Sequence, residues 1–232
     1  TSKAEAMPGV RAIATSEDFP IVQLRKLEFG AGLQNPRLMA ENDLADTKVL
    51  YKGHAVAAVV ATTPHIAEEA LSLIQVEYEV LPTVLGWREA TAEGATVLHE
   101  NLTETFVAAR GAAGEDTGNI GNIATHLQLK MGDVEQGFKD ADVIFEREYD
   151  TQTVHQGYIE PFACTAQWVP EGRLTIWTST QGIFGVRGNV AAILDIPESM
   201  IKVVPMEIGG GFGGKGTGYL EPVAAVLSKK TG

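Results

Sequence analysis

The sequence predicts an α+β fold, a small α/β module followed by a second α+β region, and three observations carry that prediction. A strand, a helix and a strand succeed one another over residues 49–81. A hairpin, a helix and a further strand do so over residues 167–208. Between them, over residues 86–121, hydrophobic periodicity disappears. Strands and helices mixed in this way build a layered fold rather than a bundle or a sandwich.

Residues 49–61 read as two strands around a turn at Gly53, the second almost wholly apolar and so expected to be buried on both faces. Thr63 then stands as N-cap with Pro64 at the first helical position. Ile66, Ala70 and Ile74, with Ala67 and Leu71, form the predicted buried stripe, and Glu68 and Glu69 face water. Residues 75–81 alternate with period two, which predicts a strand with one solvated face, ended by Pro82. This module spans residues 1–85. Residues 86–121, including the aperiodic Gly111-Ala112-Ala113-Gly114-Glu115-Asp116-Thr117-Gly118, read as a linker too long for an ordinary connection in a compact domain. In the second region, residues 122–232, Asp133 with Gln136 three residues on suggests a capping box before a short helix, and residues 143–149 suggest a strand. Residues 167–169 and 174–178 pair as a hairpin across Pro170-Glu171-Gly172. Residues 184–194 form a helix that ends near Pro197, and residues 200–208 a strand.

Composition excludes several classes. At 232 residues the chain can bury the cores of two ordinary domains. Hydrophobic residues at 44% against 21% charged exclude disorder. A net charge of −12 excludes a nucleic-acid partner, which needs a cationic face. No apolar run reaches bilayer length and the start has no signal-peptide core, so a cytoplasmic protein without a membrane partner is expected. The single cysteine, Cys164, excludes an internal disulfide and a thiolate metal cage, and in its apolar run it reads as a small buried hydrophobe. His54, His65, His99, His126 and His155 lack ligand spacing, and none is assigned a catalytic or metal-binding role. The chain opens inside an amphipathic stretch and stops after an apolar, helix-like run, which suggests a fragment.

The chemistry concentrates in Gly209-Gly210-Gly211-Phe212-Gly213-Gly214-Lys215, five glycines in seven residues directly after a predicted strand. Glycine is kept where the backbone needs positive φ or a close approach, and α/β proteins hold cofactors at strand ends. As a phosphate-binding P-loop the run fails at Gly216, where Ser or Thr should ligate Mg²⁺. As a dinucleotide fingerprint, Gly209, Gly211 and Gly214 fit formally, but Glu221 comes too soon to serve as the ribose-binding acid.

Residues 209–215 resemble the glycine-rich loop of the molybdenum hydroxylases, the xanthine dehydrogenase and aldehyde oxidoreductase family. Residues 48–60 resemble that family's hammerhead-like α/β domain, and Tyr158-Ile159-Glu160-Pro161 and Thr178-Ser179-Thr180-Gln181 resemble the opening of its molybdopterin-binding region. The resemblance covers nearly the whole chain and implies a fragment of the large subunit: the hammerhead-like domain over 1–85 and the first part of an α+β molybdopterin-binding domain over 122–232. It implies an oxidoreductase that hydroxylates an sp² carbon of an aldehyde or N-heterocycle with oxygen from water. The implied cofactor is molybdopterin in a dinucleotide form, its molybdenum held by dithiolene sulfurs and by no protein side chain. Iron–sulfur clusters and FAD would then reside on partner subunits or domains, since one cysteine cannot hold a cluster.

By the same resemblance Gln181 is the catalytic residue and a cofactor contact, its amide donating toward an oxygen on the metal. Gly211, Phe212 and Gly213 are the cofactor-binding loop residues, Phe212 and Gly213 through backbone N–H groups and the glycines because a Cβ would block the approach. Lys215 is open between a loop anchor, a phosphate partner and a surface lysine, and Glu160 reads as structural. Xanthine-oxidising members carry a glutamate directly after this lysine, and here Gly216 stands there, which points to an aldehyde, an aromatic acid thioester or another heterocycle. No position matches the family's catalytic glutamate, so the chain is expected to be inactive alone. A stand-alone binding or scaffold protein that kept the fold is the competing expectation.

Overall fold

The structure is a computed structural model that describes residues 1–22, 27–29, 32–109 and 114–232. In chain order, the elements that matter here begin with β1 (Val10–Ala14), α1 (Pro36–Asp43), β2 (Ala58–Ala61) and α2 (Pro64–Leu73). Then come β3 (Thr103–Val107), β4 (Glu115–Ile120), β5 (Thr125–Leu127) and α3 (Val134–Asp140). The last are β6 (Cys164–Trp168), β7 (Leu174–Thr178), α4 (Ile183–Leu194), β8 (Ile201–Pro205) and α5 (Glu221–Thr231). The chain divides into a larger unit, Thr1–Gly30 with Gln34–Leu81 and Gln156–Gly232, and a smaller one, Ala31–Leu33 with Pro82–His155.

The core of the larger unit lies over the sheet β8-β7-β6. β6 and β7 form the predicted antiparallel hairpin, Trp168 opposite Leu174 and Cys164 opposite Thr178. β8 runs parallel to β7, Ile201 beside Leu174 and Pro205 beside Thr178, and α4 is the crossover that a parallel pair requires. Alternation along β7 turns Leu174, Ile176 and Thr178 inward. α4 meets them with Val186, Val190 and Ile193, and α5 with Val223, Ala225 and Val226. Complete burial of Ile176 or Val190 contributes about 2 kcal/mol each. α4 is apolar on nearly every face because α1, α5 and β8 all pack on it.

In the same unit β1 pairs antiparallel with β2, Ala14 opposite Ala58, and α2 covers them. Thr63 Oγ1 accepts the Ile66 N–H at 3.3 Å and Pro64 opens the helix, as predicted. Ala70 is fully buried, but Leu71 faces water and Leu73 packs instead. Three strand expectations fail here. The turn at Gly53 forms, but residues 49–50 and 54–57 carry no strand, and β2 is half-buried rather than buried on both faces. The turn is pinned by His54, whose Nδ1 accepts the Leu50 N–H at 3.1 Å while Nε2 donates to the Glu41 carbonyl at 2.8 Å. Residues 75–81 form no strand and are exposed. Period-two alternation says which face a strand would bury, but the strand exists only when a neighbour takes its N–H and C=O groups.

The smaller unit replaces the predicted linker with structure, although Gly111-Ala112-Ala113 lie outside the described residues. Trp87–Ala90 is a helical turn, and β3, β4 and β5 form a sheet in the order β4-β3-β5. β4, Glu115-Asp116-Thr117-Gly118-Asn119-Ile120, is exposed throughout and polar except for Ile120, so it carries no periodicity to detect. Side chains fasten it: the Thr117 hydroxyl donates to the Glu104 carbonyl at 3.2 Å and the Asn119 amide to the Glu104 carboxylate at 3.2 Å. Asp133 caps α3 by accepting the Gln136 N–H at 3.0 Å, but Gln136 reaches forward to Asp140, so the capping box is half formed. The predicted strand at 143–149 is extended and unpaired.

Candidate cofactor-binding site

Parallel pairing decides where the site forms. Thr178 and Pro205 are neighbours at the same end of β7 and β8, and the Met206 N–H still donates to the Thr178 carbonyl at 3.0 Å. Gln181, three residues past Thr178, and the glycine loop, four past Pro205, therefore emerge at one sheet edge. The structure brings Gln181, Gly211, Phe212 and Gly213 together there.

Gln181 holds the loop from inside. Its Oε1 accepts the N–H of Gly213 at 3.0 Å and that of Lys215 at 3.2 Å. Two converging N–H donors identify the atom facing the loop as the oxygen, which leaves Nε2 as the free end of the amide. The Gln181 N–H and the Thr180 hydroxyl both donate to the Lys215 carbonyl at 2.8 Å. Within the loop the Gly214 N–H donates to the Gly211 carbonyl at 2.7 Å, a tight turn in which Phe212 takes φ 49° and Gly213 φ 88°. A left-handed Phe is held against a strain of about 1 kcal/mol, and its ring stands mostly in solvent. Among the described residues the Phe212 N–H has no hydrogen-bond partner.

The glycines have a reason different from the expected one at four positions. A Cβ on Gly211 would lie 2.5 Å from Gln181 Oε1, and one on Gly209 2.7 Å from Glu160 Cβ. On Gly210 it would meet Tyr158 and Phe212, and on Gly214 the Gln156 amide at 2.9 Å. The protein's own side chains occupy those spaces. Of the glycines at 209–216, only Gly213 and Gly216 have nothing within 4 Å, so a close approach from outside concerns Gly213 and the adjoining Phe212 N–H.

Of the three roles open to Lys215, the structure selects the anchor. It is 0% exposed and its Nζ meets Glu160 Oε2 at 2.7 Å, so it is neither a surface lysine nor free to meet a phosphate. The Glu160 carboxylate is held below the usual carboxylate range, first by the Lys215 ammonium and then by the Gly209 N–H. Glu160 is structural, as expected, but is bound to the loop itself.

Sequence reasoning missed the polar residues behind the loop. Glu221, buried at the start of α5, accepts the Thr178 hydroxyl at 2.6 Å and the Tyr219 N–H at 3.0 Å. Asn189, 1% exposed within α4, accepts the Gly218 N–H at 3.3 Å. Asn189 could have been suspected, since an amide inside an apolar helix needs a partner. Asp43 is buried near Glu221 with Oδ2 unpartnered. Cys164 is half-buried in β6, its thiol pushed up to about 12 by burial and then by Glu221, which rules out a thiolate nucleophile. Among the described residues no group of three or more His, Cys, Asp or Glu side chains converges on a metal-sized site, and no helix is long and apolar enough to cross a membrane.

The site fits a cofactor that needs donors rather than ligands. Among the described residues the Phe212 N–H and the Gln181 amide nitrogen have no hydrogen-bond partner, and they lie beside the one glycine of 209–215 with no atom within 4 Å of an added Cβ. Comparison with known proteins agrees. The molybdopterin cofactor-binding domain matches residues 115–232, and the a/b hammerhead domain of aldehyde oxidase and xanthine dehydrogenase matches residues 1–82. The chain is 35% identical over its whole length to a probable xanthine dehydrogenase subunit of Bacillus subtilis, and covers 27% of that protein. It is 34% identical over 92% of its length to the nicotinate dehydrogenase large molybdopterin subunit of Eubacterium barkeri, and covers 44% of it. Over 98% of its length it superposes on 28% of a Cu,Mo-CO dehydrogenase chain with a TM-score of 0.75 and 32% identity. It thus spans about a quarter to under a half of the relatives it matches. Hammerhead domain, parallel-strand edge and glutamine-gripped glycine loop make this chain a member of the molybdenum hydroxylase family, from the molybdopterin-binding large subunit.

Proposed function

We propose that this chain forms one wall of the molybdopterin site in an oxidoreductase that hydroxylates an sp² carbon of an aldehyde or N-heterocycle with oxygen from water. One observation carries the reading: Gln181 spends its amide oxygen on the Gly213 and Lys215 N–H groups, so its nitrogen and the Phe212 N–H are left as aimed donors. Bound there, the cofactor would supply the two-electron redox centre. The chain's own part is to bind and orient. Gln181, Gly211, Phe212 and Gly213 form the wall, and a neutral amide offers a fixed donor without adding charge. The buried Lys215 and the packed glycines hold those donors in place before anything binds.

Because the chain covers about a quarter of its first relative, the rest of the site and the general base are assigned to the remainder of the large subunit. On that basis the 232-residue chain alone carries little or no molybdenum and no turnover. Iron–sulfur and flavin partners carry the electrons away, and the complex works in the cytosol. The names of the relatives range over xanthine, nicotinate and carbon monoxide, so they do not single out a substrate. Gly216, exposed after Lys215, lacks the carboxylate that would grip a purine, which favours an aldehyde, a thioester or another heterocycle.

The test is the full-length subunit purified with its partners, assayed for molybdenum and for turnover of aldehydes, N-heterocycles and xanthine in ¹⁸O-labelled water. One molybdenum per subunit with ¹⁸O in a non-purine product is expected. Absence of molybdenum would overturn the reading, and activity on xanthine alone would overturn the Gly216 argument.

A further inference from the structure

A lysine is almost never fully buried unless its charge is met, and the loop of this chain contains one. Lys215 Nζ donates to Glu160 Oε2 at 2.7 Å and to the Glu160 carbonyl at 2.9 Å, and lies over the rings of Tyr158 at 4.8 Å and Phe162 at 5.7 Å. The same Oε2 accepts the Gly209 N–H at 2.6 Å. One carboxylate oxygen thus ties together the first and the last residue of the glycine loop. The loop cannot widen without breaking a charge-assisted bond.

Inside that closed ring Gln181 reads the result. Its Oε1 bonds the Lys215 N–H, and its own N–H bonds the Lys215 carbonyl. Any shift of Lys215 therefore turns the Gln181 amide and moves Gly213, the residue after Phe212. We infer that Glu160 and Lys215 are positioning residues, an ion-pair clasp that sets the span of the loop and through it the aim of the Gln181 amide and the Phe212 N–H. The inference rests on the functional reading above, since it concerns donors that reading assigns to the cofactor.

The two partners are not equivalent. Lys215 has no exposed side-chain surface, whereas the Glu160 side chain is 32% exposed. Removing the lysine leaves a carboxylate that water and the Gly209 N–H still reach. Neutralising the glutamate strands an ammonium that water cannot reach. A clasp therefore predicts an order: Glu160→Gln is more damaging than Lys215→Met. The double variant recovers much of the loss, because no lone charge stays buried and the introduced amide oxygen can still accept from Gly209.

The experiment compares these three variants with wild type in the full-length holoenzyme, by hydrogen exchange of the 209–216 amides, molybdenum content and the Mo(V) electron paramagnetic resonance signal. Glu160→Gln is expected to speed loop exchange about tenfold or more, as loss of a charged hydrogen bond implies, and to alter the Mo(V) signal at undiminished molybdenum content. Lys215→Met should do less, and the double variant should return exchange toward wild type. Native exchange and a native signal in Glu160→Gln, or a double variant as disturbed as Glu160→Gln, would overturn the clasp. Should Glu160→Gln not accumulate, Lys215→Met with native loop exchange overturns it as well, and intermediate exchange upholds it. Wild-type protein without molybdenum would sink the functional reading alone, because loop exchange still decides the clasp.

Discussion

Replacing Asp43 with asparagine should stabilise the larger unit, increasingly so as pH rises. Asp43 ends α1 with Oδ2 buried and unpartnered, close enough to feel the charge of Glu221. Burial first, and Glu221 second, raise its carboxyl from 3.8 to about 9. Both Glu221 oxygens are engaged by Thr178 and Tyr219, so the proton that relieves the pair belongs on Asp43. Tyr51, itself pushed up by burial and then by Asp43 and Tyr219, adds no positive charge to help. The sign follows from proton counting. Below about pH 4 the carboxyl is protonated folded or unfolded, and the raised value costs nothing. From there to about pH 9 only the folded chain holds the proton, so stability falls as pH rises. At pH 7 the cost is about 4 kcal/mol, an upper figure set by the span between pH 7 and the ordinary value.

Asparagine abolishes this term. The assay is hydrogen exchange of the α1 and α5 amides in the full-length protein, native against Asp43→Asn at matched pH, so that intrinsic exchange cancels. The variant should be better protected by up to about ten-thousandfold at pH 8 and by about tenfold at most at pH 5. An equal ratio at the two pH values, or a variant less protected at pH 8, would refute the reasoning.

In the full-length protein with its partners, Gln181→Ala removes the acceptor of two loop N–H groups, and should lower turnover while leaving the secondary structure intact by circular dichroism; unchanged activity would remove Gln181 from the site. Gly211→Ala puts a Cβ 2.5 Å from Gln181 Oε1 and should speed hydrogen exchange of the loop amides more than Gly213→Ala, where no protein atom lies within 4 Å and the structural cost is the left-handed backbone, about 1 kcal/mol; the reverse order in exchange would contradict the packing role of Gly211. Cys164 should resist iodoacetamide at pH 8 in the native protein and react fully in urea, judged by mass spectrometry of its peptide, because its thiol is held near 12. Rapid native labelling would contradict the buried thiol.

Where sequence and structure agree, the signal was local. The Thr63-Pro64 cap, the Asp133 cap, the hairpin across Pro170-Glu171-Gly172 and helix α4 each depend on residues adjacent in the chain, whose hydrogen bonds close within a few positions. Where they differ, a partner was missing or a pattern silent. Residues 75–81 alternate and 143–149 read as a strand, but among the described residues no strand pairs with either, and β4 pairs with only Ile120 as an apolar side chain to announce it. The glycine loop was legible as a loop because five glycines cannot be a strand interior, and Gln181 was legible through the motif it stands in.

The sequence by itself determined the class of the protein: its mixed architecture, its acidic surface, its single cysteine and the order of its motifs. Only the tertiary structure decided what the motif residues do. The parallel pairing of β7 with β8 carries Gln181 and the glycine loop to one edge, which no local rule states. Lys215 could be a surface charge, a phosphate ligand or an anchor until its ammonium was found against Glu160, fifty-five residues away in the chain. The glycines, too, are explained by neighbours remote in sequence, Glu160, Gln181 and Gln156. The physical reason is common to all three. Propensity and capping are settled within a few residues, whereas burial of a charge and room for a Cβ depend on whatever the fold brings alongside.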